Sequence, residues 1–431
     1  MKARISTLMI LMWSPLFGQE FVVRGLSAWG MDNEYNFPVI VRDSAGHADP
    51  ASEHITIQFD VEGTEPPALK FKFLHCNRDW VPEQNLFVQD ENHNTSFVLD
   101  YRTSPNGVEY YSYRYTNRFP DDDDIVRFNY SGNWIFRLMD KEEKNIYGEG
   151  RFFVVDDVSK VAVTVTNNYL TEAVSPFNQI HKVQVGVRLP SEADGFFYTT
   201  VDVYQNRRLY NAYRMDVNDR DPYTTVEGFN LGYRLFTILN LLPGNEYRTL
   251  DIGNLTRYPN RSLVRPVEGA DQPRVYWRTG PDRNGTASLN GFTGTASDYL
   301  EVLFRLDMSA YRSVLSGGAD VYLAGPFNDW NPDVGDRLKY DEAEKCYSVK
   351  KLLRRGIYDY QYLTGYWDDA TQRVAQQDWI ALEGNDWRTT NTYYAMVYYN
   401  DPRFGGFDRI VGFGSGASPG TALTYLNIMV F

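Results

Sequence analysis

Tyr115-Thr-Asn-Arg-Phe-Pro-Asp-Asp-Asp-Asp-Ile-Val-Arg-Phe-Asn-Tyr-Ser-Gly-Asn-Trp-Ile-Phe-Arg-Leu-Met-Asp140 is the stretch on which the fold turns, because apolar side chains recur there at every second position. Val126, Phe128 and Tyr130 form one row and Trp134, Phe136 and Leu138 another, the period-two pattern of half-buried strands. Parity decides how the rows meet. A two-residue loop at Ser131-Gly132 pairs Phe128 with Ile135 and sends the rows to opposite faces. A three-residue loop, Ser131-Gly132-Asn133, pairs Phe128 with Phe136 and puts both rows on one face, with Asn133 in the left-handed position that asparagine tolerates. The alternative is a corner at which the chain crosses between two packed sheets, where both rows again point inward. Both arrangements belong to a β-sandwich.

The rest of the chain agrees with an all-β fold. Of its 431 residues 15% are aromatic, with 32 Tyr and 25 Phe, a composition that favours strands. No amphipathic stretch of helical period exceeds about three turns. The turn residues divide the chain into tandem immunoglobulin-like, E-set β-sandwich domains at 19–156, 157–284 and 285–412, followed by a tail or extra strand at 413–431. The second block alternates in Lys182–Arg188 and Tyr198–Tyr204 and is expected to end in the Gly- and Asn-rich stretch Gly280–Gly285. Leu423, Tyr425, Met429 and Phe431 alternate as in the last strand of an outer-membrane barrel. The other strands are too short for such a barrel, so a tail strand completing a soluble sheet is expected.

Residues 1–18 read as an export signal. Lys2 and Arg4 precede an apolar run from Leu8 to Phe17, and Gly18 before Gln19 suits a signal-peptidase cut. No cysteine stands at that cut to carry a lipid, and no later stretch resembles a membrane helix. Removing the segment takes the formal charge from −13 to about −15, because it holds two cations and no acid. An acidic chain is a poor partner for nucleic acid or anionic lipid.

Chemistry is sparse. Cys76 and Cys346 are the two cysteines, some 270 residues apart, and strand-like apolar surroundings make them buried free thiols rather than a disulfide framework. His47, His54, His75, His93 and His181 are scattered without metal-ligand spacing. His75 adjoins Cys76, but neighbours on a strand point to opposite faces. Asp121–Asp124 lacks the Gly turn and closing Glu of a calcium loop and reads as a solvated charged loop. Gly412-Phe-Gly-Ser-Gly416 lacks the Lys-Ser/Thr of a phosphate loop and the first Gly of a nucleophile elbow, and reads as a flexible turn. No enzyme activity, cofactor or metal site is expected.

In the third block Val321–Pro332 and Gly356–Asp368 resemble the β-sandwich modules found before starch-debranching catalytic domains and in glycogen-binding proteins. The resemblance implies a sandwich and, as the alternative function, a periplasmic or surface carbohydrate-binding accessory protein whose Trp330 and Trp367 stack on sugar.

A second resemblance spans most of the chain. Phe73-Leu-His-Cys-Asn-Arg-Asp-Trp80, Phe119-Pro120, Val126-Arg-Phe128, Ser131-Gly-Asn-Trp134 and Phe152-Phe-Val-Val155 resemble the N-terminal domain of the type IX secretion system plug protein of Bacteroidota. Cys76, Trp80, Phe128, Gly132, Asn133 and Trp134 carry that motif as structural residues. Leu242–Asp251, Glu383-Gly-Asn385, Tyr393–Tyr399 and Phe407–Gly412 follow in the family's order, whereas the Ser415–Phe431 tail departs from it. The resemblance implies a non-catalytic periplasmic protein without cofactor or membrane span. It implies docking on the outer-membrane translocon barrel, with further secretion components as possible partners, and closure of the barrel's periplasmic opening between transport events.

Overall fold

In a computed structural model the protein is described over residues 21–42, 52–169, 179–190, 195–228, 232–274, 276–278, 282–315 and 317–418. The expected signal peptide with its Gly18–Gln19 cut and the alternating end of the tail, 419–431, lie outside the described residues, as does His47. The described residues form six sheets, which pack in pairs as three β-sandwiches.

In the first sandwich one sheet has the order Phe21–Gly30, Ile55–Gly63, Tyr113–Phe119, Tyr101–Thr103. The facing sheet runs Val39–Arg42, Ile146–Asp156, Gly132–Asp140, Leu69–Cys76, Thr95–Ser96. Alternate residues of each sheet meet in one core: Ile55, Ile57, Phe59 and Val61 against Phe71, Phe73, Phe136, Phe152 and Val154.

The deciding stretch is a corner. Tyr113–Phe119 belongs to one sheet and Gly132–Asp140 to the other, and residues 120–131 cross between them without forming a strand. The Phe128–Phe136 hairpin is not formed, since Phe136 pairs with Phe73 and Gly150. The cause lies in Asp121, whose carboxylate accepts the amides of Ile125 and Val126 and coils the chain into a turn. Val126 and Phe128 still point into the core, with the Phe128 ring 5.3 Å from Phe73 and 5.0 Å from Trp134.

The second sandwich is discontinuous in sequence. Its sheets are Lys160–Tyr169, Gln179–Arg188, Tyr233–Leu241, Thr224–Glu227 and Ala212–Asp216, Thr200–Gln205, Thr392–Asp401, Phe407–Ala417. The third sandwich is inserted between Leu241 and Thr392, with Arg248–Asp251 pairing Ile357–Asp368 and Leu263–Val264 pairing Tyr299–Leu306. The boundary expected at 412 therefore falls inside the strand Phe407–Ala417, and the one expected at 284 separates Arg248–Asp251 and Leu263–Val264 from the strands they pair with. Alternation marked strands such as Gln179–Arg188 and Thr200–Gln205, but it also marked residues 126–130, which form none, and pairings such as Val203 with Ala395 leave no local trace in the sequence.

Gly412–Gly416, expected as a flexible turn, lies inside the strand Phe407–Ala417. A Cβ at Gly412, Gly414 or Gly416 would come within 2.7, 2.9 or 2.3 Å of an atom of Val161 or Val163. The alternating glycines let this strand close the sandwich against Lys160–Tyr169.

One strand is buried on both faces. In Ile146–Asp156 every residue from Gly150 to Asp156 is buried. Phe152 and Val154 enter the first core, while Phe153 and Val155 join Phe37, Val39, Tyr204, Leu209, Met396, Tyr398 and Ile410 in a separate cluster between the first and second sandwiches. An unbroken apolar run suits such a strand. Truncating Phe153→Ala is expected to destabilise the protein by about 3–5 kcal/mol, like truncating a core residue, although the side chain points out of its own sandwich. Denaturant unfolding measures it, and a loss below about 1 kcal/mol would contradict the double-sided burial.

Candidate functional site

The six motif residues do not form a pocket; most of them gather at the seam between the first and second sandwiches. Asn133 is fully buried, accepting a hydrogen bond from the Tyr398 hydroxyl at 2.8 Å and donating to the carbonyls of Asn77 and Arg78. Gly132 has φ +149°, and a Cβ there would stand 2.4 Å from His75 Nε2 and 3.1 Å from the Asp408 carbonyl oxygen, so only glycine fits. Trp80 adopts φ +62° and packs on Phe153, with the Arg151 guanidinium 4.3 Å from its ring centroid. Trp134 and Phe128 back the seam from within the first core, and the Trp134 indole donates to the Tyr130 carbonyl. The Cys76 thiol is pushed up to about 12 by burial, so it stays protonated and is a poor nucleophile at neutral pH.

Charges close the seam on both sides. Asp156 takes Arg42 at 2.5 Å and Arg409 at 2.6 Å, and Arg409 also reaches Asp401 at 2.9 Å. Burial raises the Asp156 carboxyl, but the two guanidiniums outweigh it and hold its pKa below the usual value. Arg214 grips Asp202 with two bonds of 2.8 and 2.9 Å and reaches across to Asp79, while the Arg78 guanidinium reaches Thr200 and Asp216. These partners were not visible in the sequence, where Asp156, Asp401 and Arg409 look like ordinary strand-end charges.

The later family segments form a second hub. Arg248 bonds Glu383 and Asp271, each at 2.9 Å, and the hydroxyls of Tyr360 and Tyr362 donate to Asp271 at 3.0 and 2.9 Å. Asn245 donates to the Glu383 carbonyl and Gly244 N–H to the Asn385 side chain. Leu242–Asp251 and Glu383–Asn385, far apart in sequence, thus bind the entry and the exit of the inserted sandwich to each other. Desolvation works against the Arg248 charge, but Glu383 and Asp271 more than compensate and raise its pKa.

A third joint links the first and third sandwiches. Asp60 accepts Arg114 and the Tyr299 hydroxyl, Arg354 donates to Gln58, Asp298 accepts the amides of Glu109 and Tyr110, and Glu34 accepts the amide of Leu289. A cavity of about 390 Å³ remains where the three units meet, lined by Trp29, Asp60, Arg207, Asp329 and Arg354 among others.

Among the described residues no group of three or more His, Cys, Asp or Glu could hold a metal ion. Each described histidine is engaged structurally: His54 with Asp32, His93 with Asp90, His181 with Tyr393 and the Trp387 carbonyl, and His75 with the Ser131 carbonyl. Asp121 caps its own turn and Asp124 pairs with Arg127. Trp330 is only 1% exposed, donates its indole N–H to the Gly285 carbonyl at 2.7 Å and packs on Tyr247, so no face of the ring is open to a sugar. Trp367 is half-buried, with its indole N–H on Asp369. No described helix is long and apolar enough to cross a membrane.

Residues 25–156 match the family model described as the type 9 secretion system plug protein 1st domain. The resemblance read from the first block is thereby found independently over the sandwich that carries the seam motif. A hypothetical protein from Parabacteroides merdae, known from a crystal structure, superposes with a TM-score of 0.74 at 21% identity, covering 92% of this chain and 97% of that one. At that identity the likeness establishes the fold, and it extends across all three sandwiches. A search of curated proteins finds no match.

Two outcomes test the hubs. Burial lowers the His75 pKa to about 4, so the folded state resists a proton that the unfolded chain takes up near its ordinary value of 6.5. Its contribution to stability is therefore present above about pH 6.5 and lost as pH falls toward 4, by about 3 kcal/mol. The stability gap between wild type and His75→Gln should narrow by that order between pH 7 and pH 4.5, and an unchanged gap would contradict it. Glu383→Ala strands the buried Arg248 charge and is expected to cost about 3–5 kcal/mol, with Glu383→Gln costing less; equal, small losses in urea unfolding would refute the hub.

Proposed function

We propose that this protein is a non-catalytic plug subunit of the type IX secretion system, held in the periplasm, that docks on the outer-membrane translocon barrel and occludes its periplasmic opening while no substrate or carrier subunit fills the pore. The match of residues 25–156 to the plug first domain carries this reading. The structure supports it physically. A plug must present a fixed shape to an aqueous opening, and an object already ordered before contact loses little entropy on docking. Three sandwiches tied pairwise by buried hydrogen bonds and ion pairs have that property. The acidic chain, with a formal charge of −13, has weak attraction for anionic membrane surfaces, so recruitment falls to protein contacts.

The mechanism is steric. No bond is made or broken, and release follows when a competing occupant of the barrel opening binds more favourably than the plug. Affinity purification on the full chain from detergent-extracted outer membranes of its own host is expected to recover a very large barrel protein, most strongly in a strain lacking the carrier subunits. Deleting the chain should make the outer membrane leakier to bulky solutes. Recovery of no barrel in that strain would overturn the assignment, and unchanged leakage would refute occlusion.

A further inference from the structure

The first and second sandwiches together expose an apolar face that neither hub consumes. The short helix Leu86–Gln89 turns Leu86 and Phe87 outward, 73% and 72% exposed, while its other side is buried. Gln89 anchors that side through bonds with the carbonyls of His75 and Glu83 and the amide of His75. Across the seam, Phe404 in the turn Arg403–Gly405 lies 45% exposed and stacks on Phe87 at 5.5 Å and 15°. Asn85 joins the two. Its side-chain oxygen accepts the Phe87 amide and its side-chain nitrogen donates to the Phe404 carbonyl.

The turn is held in an unusual conformation. Phe404 has φ 53° and ψ 24°, left-handed backbone that phenylalanine seldom adopts. Asp401 fixes it by accepting both the Arg403 amide and its guanidinium. A large ring is thus kept outside the core in a strained turn, and both ends of the contact are pinned. Preorganised, exposed aromatics of this kind are the anchors of protein interfaces.

The rim identifies the occupant. Asn129 bonds Asp90 and the Arg127 amide bonds the His93 carbonyl, which brings the Asp121–Asp124 loop to the same end of the molecule as the helix. Asp90 faces His93, Asp124 faces Arg127 and Asp401 faces Arg403, so these cations are each matched by an acid, while Glu91 beside the helix and Asp122 and Asp123 in the loop add exposed negative charge. A second copy would set acid against acid across the contact, and an anionic lipid surface would be repelled in the same way.

We propose that Leu86, Phe87 and Phe404 form a docking face for a protein segment whose apolar side chains are flanked by lysine or arginine. Resting on the plug reading above, that segment belongs to the translocon barrel. The face spans the seam, so a partner seated there touches the first and second sandwiches at once and recognises only their locked arrangement.

Photo-crosslinking in the native host tests this with the full chain. A benzoylphenylalanine is placed at Phe87, at Phe404 and, as a remote control, at Tyr276, which is 82% exposed on the inserted sandwich side. Adducts from positions 87 and 404, absent from 276, on a barrel segment with apolar residues beside Lys or Arg are expected. Phe87→Glu combined with Phe404→Ser should lower barrel recovery by about tenfold or more, without a change in unfolding midpoint. Adducts with a second copy or with lipid, or no adducts, would overturn the face. A barrel captured through 276 alone would overturn the face and leave the plug reading standing. An adduct on a basic-flanked segment of a protein that is not a barrel would uphold the face and contradict the plug reading.

Discussion

A strand whose second half has no solvent side holds the first two sandwiches together. Ile146–Asp156 gives Phe152 and Val154 to its own core and Phe153 and Val155 to the cluster shared with Tyr204, Met396, Tyr398 and Ile410. Each large apolar side chain so buried contributes on the order of 1.5–3 kcal/mol, and the cluster forms only when two sandwiches meet. Hydrophobic contact alone would permit sliding. Register comes from the polar groups at its margins, Asn133 on Tyr398 and Asp156 between Arg42 and Arg409, whose bonds are satisfied in one arrangement only.

The insertion of the third sandwich into the second turns a string of units into a triangle. The inserted sandwich is tied to the second by Arg208 on Gln361 and Asn206 on Tyr247, and to the first by Tyr299 on Asp60 and Arg354 on Gln58. Buried arginines recur at these joints. Arg151 lies between Trp80 and Tyr210, and Arg208 sits 4.1 Å from the Trp379 ring centroid while donating to Gln361. A planar guanidinium can satisfy carbonyls in its plane and lie flat on an aromatic ring, so it suits a tight joint between sheets. Opening any one joint would leave such charges without partners, and the three units resist separation together. A shape held this way suits an object that blocks an opening.

The sequence was informative where physics acts locally. Period-two alternation identified strands and therefore sandwiches, and the parity of Phe128 and Trp134 restricted the chain to one hairpin or a corner. The choice between them rested on Asp121 capping its own turn, a contact that alternation does not register. Topology was largely illegible. Nothing near Thr392–Asp401 says that it pairs with Thr200–Gln205 across the whole inserted sandwich. The glycines at 412, 414 and 416 were visible but ambiguous, because close strand approach and a flexible turn both call for glycine. Nothing in the sequence around the motif residues of the first block says that Tyr398 reaches Asn133, or that the Asp408 carbonyl stands over Gly132, from the far end of the chain. Leu86, Phe87 and Phe404 carried no periodic signal, since a one-turn helix and a tight turn are too short to show one.

Tied in this way, the three sandwiches should unfold as one cooperative body. Scanning calorimetry of the full chain tests it most directly, through the ratio of calorimetric to van't Hoff enthalpy. A single transition with a ratio of about 1 is expected. Two or three resolved transitions, with a sandwich melting while its neighbours remain folded, would contradict it.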